Sequence, residues 1–118
     1  MAVHVTKGAK TIEDGILNMK DAMFLDYQNR MPLDKDIHQK MFDNYVATLN
    51  ETYGNKYIKV ISDGEVSAFI VNTENDKKFR YGDILKPASW TAPARNVARG
   101  NVLEGNYNIS WTGPCYLR

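Results

Sequence analysis

The residues of this chain best suited to chemistry crowd into one stretch, "WTAPARNVARGN" at positions 90–101, with Tyr81, Lys86 and Ser89 just ahead of it. Guanidinium groups grip phosphate oxygens through paired N–H donors, and an exposed aromatic face stacks on a nucleobase. The spacing predicts a ligand-binding loop. In it Trp90 stacks a base, Lys86, Arg95 and Arg99 meet phosphates, and Ser89, Asn96 and Asn101 read base edges or ribose hydroxyls. Tyr81 adds a second ring. A plainer reading stays open beside this one, in which the cations form a solvated face and Trp90 covers one end of the core with its N–H bonded to a carbonyl.

Charge supports a local rather than a global site. The chain carries 15 Lys and Arg against 14 Asp and Glu, so no overall field draws it onto duplex DNA or an anionic membrane. The distribution is uneven. Residues 1–55 hold six basic and eight acidic side chains, whereas residues 77–101 hold six basic ones against Asp83 alone. Phe79, Tyr81 and Trp90 lie among those cations, and Pro87 and Pro93 limit the freedom of the loop, which lowers the entropic cost of binding.

Catalysis finds little support. His4 and His38 are the only histidines, the first near the terminus and the second inside a helical pattern, and Cys115 has no histidine near it in sequence. No phosphate loop, nucleophile elbow, dinucleotide fingerprint or zinc-protease motif occurs. The expectation is a binding protein rather than an enzyme, with no metal and no cofactor. One cysteine excludes an intramolecular disulfide and suits a reducing compartment. Neither a signal-peptide core nor an apolar run long enough for a bilayer is present, so a cytoplasmic protein without membrane contact is expected.

The elements that must carry the loop are legible from periodicity. Ile12, Ile16, Met19, Met23 and Tyr27 recur at helical steps after the cap residue Thr11, although Gly15 weakens that start. "RMPLD" breaks the pattern through Pro32, Asp34 caps a new helical segment, and Ile37, Met41, Tyr45 and Leu49, widened by Phe42 and Val46, mark a second helix ending near Gly54. From residue 56 the period becomes two. "KYIKVIS" and "EVSAFIV" flank Asp63-Gly64, a strong hairpin signal; "FRYGDIL", "NVL" and "YNISW" supply further strands. These features predict one α+β domain over residues 1–118: an αα-hairpin at 11–54 beside a small antiparallel sheet at 56–118, with the basic-aromatic loop at 79–101. The methionine-rich helical stripe is expected to be core, with self-association as its other use.

"GDILKPASWTAPARNVARGN", continued by "YNISWTGPCYLR", resembles a pattern in a widespread group of small bacteriophage proteins, over roughly residues 79–118. The stretch is similar to the phage sponge proteins that sequester cyclic nucleotide immune signals, in particular the fourth anti-CBASS type. That resemblance implies a phage-encoded protein of the host bacterial cytoplasm, a homo-oligomer, that binds a cyclic dinucleotide such as cyclic GMP-AMP without hydrolysing it. Two other readings of the same loop are a docking patch for single-stranded nucleic acid or a host protein, and a nuclease whose acids converge only in three dimensions.

Overall fold

The structure, a computed structural model, describes residues 2–30 and 36–114. In chain order these form β1 (Val3–Val5), α1 (Ile12–Arg30), α2 (Asp36–Thr48), β2 (Asn50–Tyr53), β3 (Tyr57–Ser62), β4 (Glu65–Val71), β5 (Asp83–Leu85), β6 (Gly100–Asn101), β7 (Tyr107–Ser110) and β8 (Gly113–Pro114). The fold is α+β. All strand pairs are antiparallel and make two sheets, one of five strands in the order β2-β3-β4-β5-β6 and one of three in the order β1-β7-β8.

Helix α1 forms where its stripe lies. Thr11 Oγ1 accepts the Asp14 N–H at 3.2 Å as an N-cap, and Ile12, Ile16, Met19, Met23 and Tyr27 are all buried. Gly15 has a packing reason to be there. A Cβ at this position would stand 2.6 Å from the Val102 carbonyl oxygen, so the glycine lets the helix lie directly on the β6 strand end. The main core joins this stripe to Ile58, Val60, Ala68, Ile70 and Ile84 of the larger sheet and to Val5, Tyr107 and Ile109 of the smaller one.

The second helix differs from its expected form. It stops at Thr48, and Asn50–Tyr53 is an edge strand paired with β3, because the polar "NETY" completes the sheet rather than a helical stripe. Gly54 accordingly sits in the β2–β3 turn, its N–H donating to the Tyr57 carbonyl at 2.9 Å, and does not cap a helix. Of the second stripe, Tyr45 and Leu49 are buried and Phe42 is half-buried, while Ile37, Met41 and Val46 are exposed. Tyr45 anchors that helix by stacking on Tyr27 at 4.6 Å and donating its hydroxyl proton to the Trp111 carbonyl at 2.7 Å. Asp26, buried beside them, accepts the Trp111 N–H at 2.8 Å and pairs with Arg30 at 2.9 Å.

At the N-terminus His4 lies in β1 opposite Asn108 and meets its Oδ1 at 2.8 Å. Asp63 and Gly64 take positive φ values of 51° and 76°, the backbone of a tight hairpin turn between β3 and β4. The break at Pro32, the cap at Asp34 and the role of Cys115 fall outside the described residues. No helix among the described residues is long and apolar enough to cross a membrane.

Candidate functional site

The five-stranded sheet has two covered faces. One packs on the helices; on the other, Phe69, Val71 and Leu85 meet Phe79, with Tyr57, Val66 and Ala98 at the margin. Alternation along β3 puts Tyr57, Lys59 and Ile61 on this outer face, opposite the buried Ile58 and Val60. The predicted binding loop lies across it.

The loop is ordered by its own backbone. Pro87 and Pro93 face each other in an antiparallel bridge, the Ala88 and Ser89 N–H groups both donate to the Ala92 carbonyl at 3.0 Å, and the Ala94 N–H donates to the Lys86 carbonyl at 2.7 Å. The result is a narrow lobe with Ser89, Trp90 and Thr91 at its tip. Trp90 is 52% exposed, a large indole held out of the core. Lys59 comes up from the strand beneath it, with Nζ 5.0 Å from the Trp90 ring and 5.9 Å from the Phe69 ring. Among the described residues no carboxylate pairs with this ammonium, which rests instead between two aromatic faces. Beside it opens a cleft of about 320 Å³ lined by Thr52, Gly54, Lys56, Tyr57, Lys59 and Thr91, among others.

The sequence-predicted residues meet different fates. Trp90 and Ser89 are at the lobe tip. Asn96 is exposed farther along the loop, its Oδ1 accepting the Val97 N–H at 2.8 Å. Arg95 stays exposed but its guanidinium is already engaged: both Nη atoms donate to Asp76 at 2.9 Å, Nη1 also reaches the Tyr57 hydroxyl, and the guanidinium lies 4.8 Å over Phe79. Lys78 Nζ closes the same corner by donating to the Arg95 carbonyl at 2.7 Å. The Arg95 guanidinium and the Lys78 and Phe79 N–H groups hold the Asp76 carboxyl well below the usual range, and Asp76 in turn raises Arg95. Lys86 Nζ donates to the Pro114 carbonyl at 2.7 Å.

Asn101 is buried. Its amide donates to the Tyr81 carbonyl at 3.0 Å and to Asp83 at 2.9 Å, and its Oδ1 accepts the Leu103 and Glu104 N–H groups, so it shapes the turn after β6. Tyr81 is half-buried against the main core, and Arg99, also half-buried, holds the loop end through its N–H to the Ile84 carbonyl at 2.7 Å. The structure thus brings Trp90 and Ser89 to one place and spreads the other six along the loop and its base.

Lys59, Tyr57 and Lys56 are what residue-by-residue reading of the loop missed. Strand alternation already put Tyr57 and Lys59 on one face, yet nothing in sequence says that a lobe about thirty residues later folds over them.

Two larger hollows fit less well. One of about 590 Å³ beside Lys7, Lys10, Asp14 and Leu17 has no aromatic wall. In the other, of about 530 Å³, Arg80 is already closed on Glu104 through bonds of 2.6 and 2.8 Å, which lower the Glu104 carboxyl and raise the guanidinium. Among the described residues no three His, Cys, Asp or Glu side chains converge as a metal site requires.

No curated protein and no solved structure matches the chain. A family of unknown function, DUF7717, matches it over residues 5–116, and the chain belongs to that family.

Proposed function

We propose that this protein binds and sequesters a small nucleotide signal, a cyclic dinucleotide such as cyclic GMP-AMP, without hydrolysing it, as a phage counter-defence factor of the host bacterial cytoplasm. One observation carries the reading: an exposed indole, rigidly presented at a loop tip, has a lysine without a carboxylate partner set against it. A base stacked on Trp90 gains about 1–3 kcal/mol, and Lys59, with Lys56 beside the same cleft, supplies charge for the phosphate. Arg95, Lys86 and Asn101 support the lobe and the strand ends beneath it rather than touching the ligand.

The test is melting temperature and calorimetric titration of the purified protein with cyclic dinucleotides, since a ligand of the native state raises the melting temperature. Trp90→Ala and Lys59→Ala are expected to weaken binding at least about tenfold each while the free proteins melt normally. Nucleotide recovered after denaturing the complex is expected to be intact. Unaltered binding by both variants would sink the proposal.

A second reading has its own support in the shape of the clefts, which are open grooves that would also let a single strand pass over the indole. Oligonucleotide affinity that falls steeply with salt, with no cyclic dinucleotide bound, would favour it.

A further inference from the structure

The five-stranded sheet ends differently at its two edges. At β6 the smaller sheet packs so closely that a Cβ on Gly100 would meet the Tyr107 Cβ at 2.4 Å. At β2 no strand among the described residues lies alongside, and Asn50, Thr52 and Tyr53 are exposed.

The register says which backbone groups that edge offers. The Gly54 N–H donates to the Tyr57 carbonyl, so the hydrogen-bonded pairs further along β2 and β3 are Thr52 with Lys59 and Asn50 with Ile61. The N–H and C=O groups of Glu51 and Tyr53 therefore point away from the sheet, and among the described residues nothing engages them. Such a row is a template for another strand, which proteins ordinarily blunt with lysine, proline or a bulge. β2 has neither lysine nor proline, and the one register shift lies between β3 and β4. Its single charge, Glu51, is neutralised by Lys20 at 2.9 Å.

The open run is short, because the Leu49 N–H returns to the Tyr45 carbonyl and the Gly54 N–H to Tyr57. Two donors and two acceptors remain, and their arrangement is complementary to itself. Antiparallel pairing of Glu51 with Tyr53 of a second copy, and of Tyr53 with that copy's Glu51, engages all of them and puts a two-fold axis between the two Thr52 residues. A longer foreign strand gains no further backbone bonds, and a net charge of +1 sets up little repulsion between copies. We infer that two copies of this chain pair through β2 about this axis, making one continuous sheet. Thr52 shares a face with Lys59 and lines the cleft near Trp90, so each copy supplies its Thr52 to the rim of the other's cleft. The two Thr52 Cα atoms stand about 4.5 Å apart, a pair without hydrogen bonds of its own. Three strand spacings, about 14 Å, separate the two Lys59 residues. The paired strands thus join the two proposed nucleotide clefts, although the pairing itself needs no nucleotide and is tested without one.

The experiment is sedimentation of the full chain from about 10 µM to 1 mM, the range in which so small an interface is populated. The unmodified protein is expected to approach twice the chain mass. Tyr53→Pro removes an outward N–H and no bond to β3, and is expected to weaken association at least about tenfold. Thr52→Lys and Thr52→Glu each set like charges directly across the axis and are expected to be monomeric alone, with normal melting temperatures since Thr52 is exposed. Mixed in equal amounts, these two variants are expected to pair again. An unmodified protein that stays monomeric across the range, or one whose association survives both Tyr53→Pro and Thr52→Lys, would overturn the proposal. A mixture as monomeric as its folded components would overturn the register about Thr52.

Discussion

Arg95 grips both oxygens of Asp76 at 2.9 Å, and the two residues belong to different loops over the same sheet face. The planar fork of the guanidinium matches the carboxylate, so the pair fixes direction as well as distance. Its consequence is positional: the far end of the Trp90 lobe is stapled to the turn after β4. Arg95→Ala and Asp76→Ala are each expected to lower the melting temperature by roughly 2–5 °C. The exchanged pair, Arg95→Asp with Asp76→Arg, is expected to regain part of that loss and of any nucleotide affinity lost with it. An arginine needed for direct phosphate contact would not be replaced by an aspartate, so loss of affinity in the exchanged protein with recovered stability would return Arg95 to the ligand.

The same pair sets a pH dependence. Asp76 titrates below its ordinary value in the folded state because of Arg95 first, then the Lys78 and Phe79 N–H groups. A depressed folded value means that the stabilisation is complete above the unfolded carboxyl value of about 3.9 and is lost as pH falls below it toward the folded value. Melting temperature measured from pH 7 down to about 2.5 is therefore expected to fall more steeply for the unmodified protein than for Asp76→Asn in the acid limb. Glu104, lowered by Arg80, keeps some acid sensitivity in that variant. Parallel curves would show that the ion pair does not stabilise the fold.

Gly15 inverts an ordinary helix rule. Alanine in a helix interior is worth about 1 kcal/mol over glycine, yet here its Cβ would lie 2.6 Å from the Val102 carbonyl oxygen and 2.9 Å from the Val102 Cβ. Backbone on one side and a β-branched side chain on the other leave no flexible end to move aside. Gly15→Ala is expected to cost about 1–3 kcal/mol in urea unfolding, the range of overpacked core positions. A variant more stable than the parent would mean that α1 can lift from β6 without loss.

These cases show what was legible in the chain. The α1 stripe and the Asp63-Gly64 hairpin were, because each is set by a local period or a local backbone preference. Strands β1 and β2 were not: "VHV" and "NETY" are too short and too polar to declare themselves, and they are strands because β7 and β3 offer edges to pair with. The exposed Ile37 and Met41 show the converse, a helical period whose apolar positions only partly find a core. For the site, composition pointed to the loop and to Trp90 as its exposed ring. It could not say which cations were already taken, since Asp76 and Glu104, which engage Arg95 and Arg80, lie 19 and 24 residues away in sequence. Lys59 was hidden for the same reason.

Two buried tyrosines make opposite predictions. Tyr45 spends its hydroxyl on the Trp111 carbonyl, whereas the buried Tyr107 hydroxyl has no hydrogen-bond partner among the described residues, and burial raises the pKa of both. A satisfied buried hydroxyl contributes roughly 1 kcal/mol, and an unsatisfied one costs about 1–3 kcal/mol of desolvation. Tyr45→Phe is therefore expected to destabilise by about 1 kcal/mol, and Tyr107→Phe to leave stability unchanged or raise it by about 1 kcal/mol. Urea midpoints with unchanged slopes measure both. A cost for Tyr107→Phe as large as that for Tyr45→Phe would mean that the Tyr107 hydroxyl is satisfied in solution, and the expected difference in sign would be wrong.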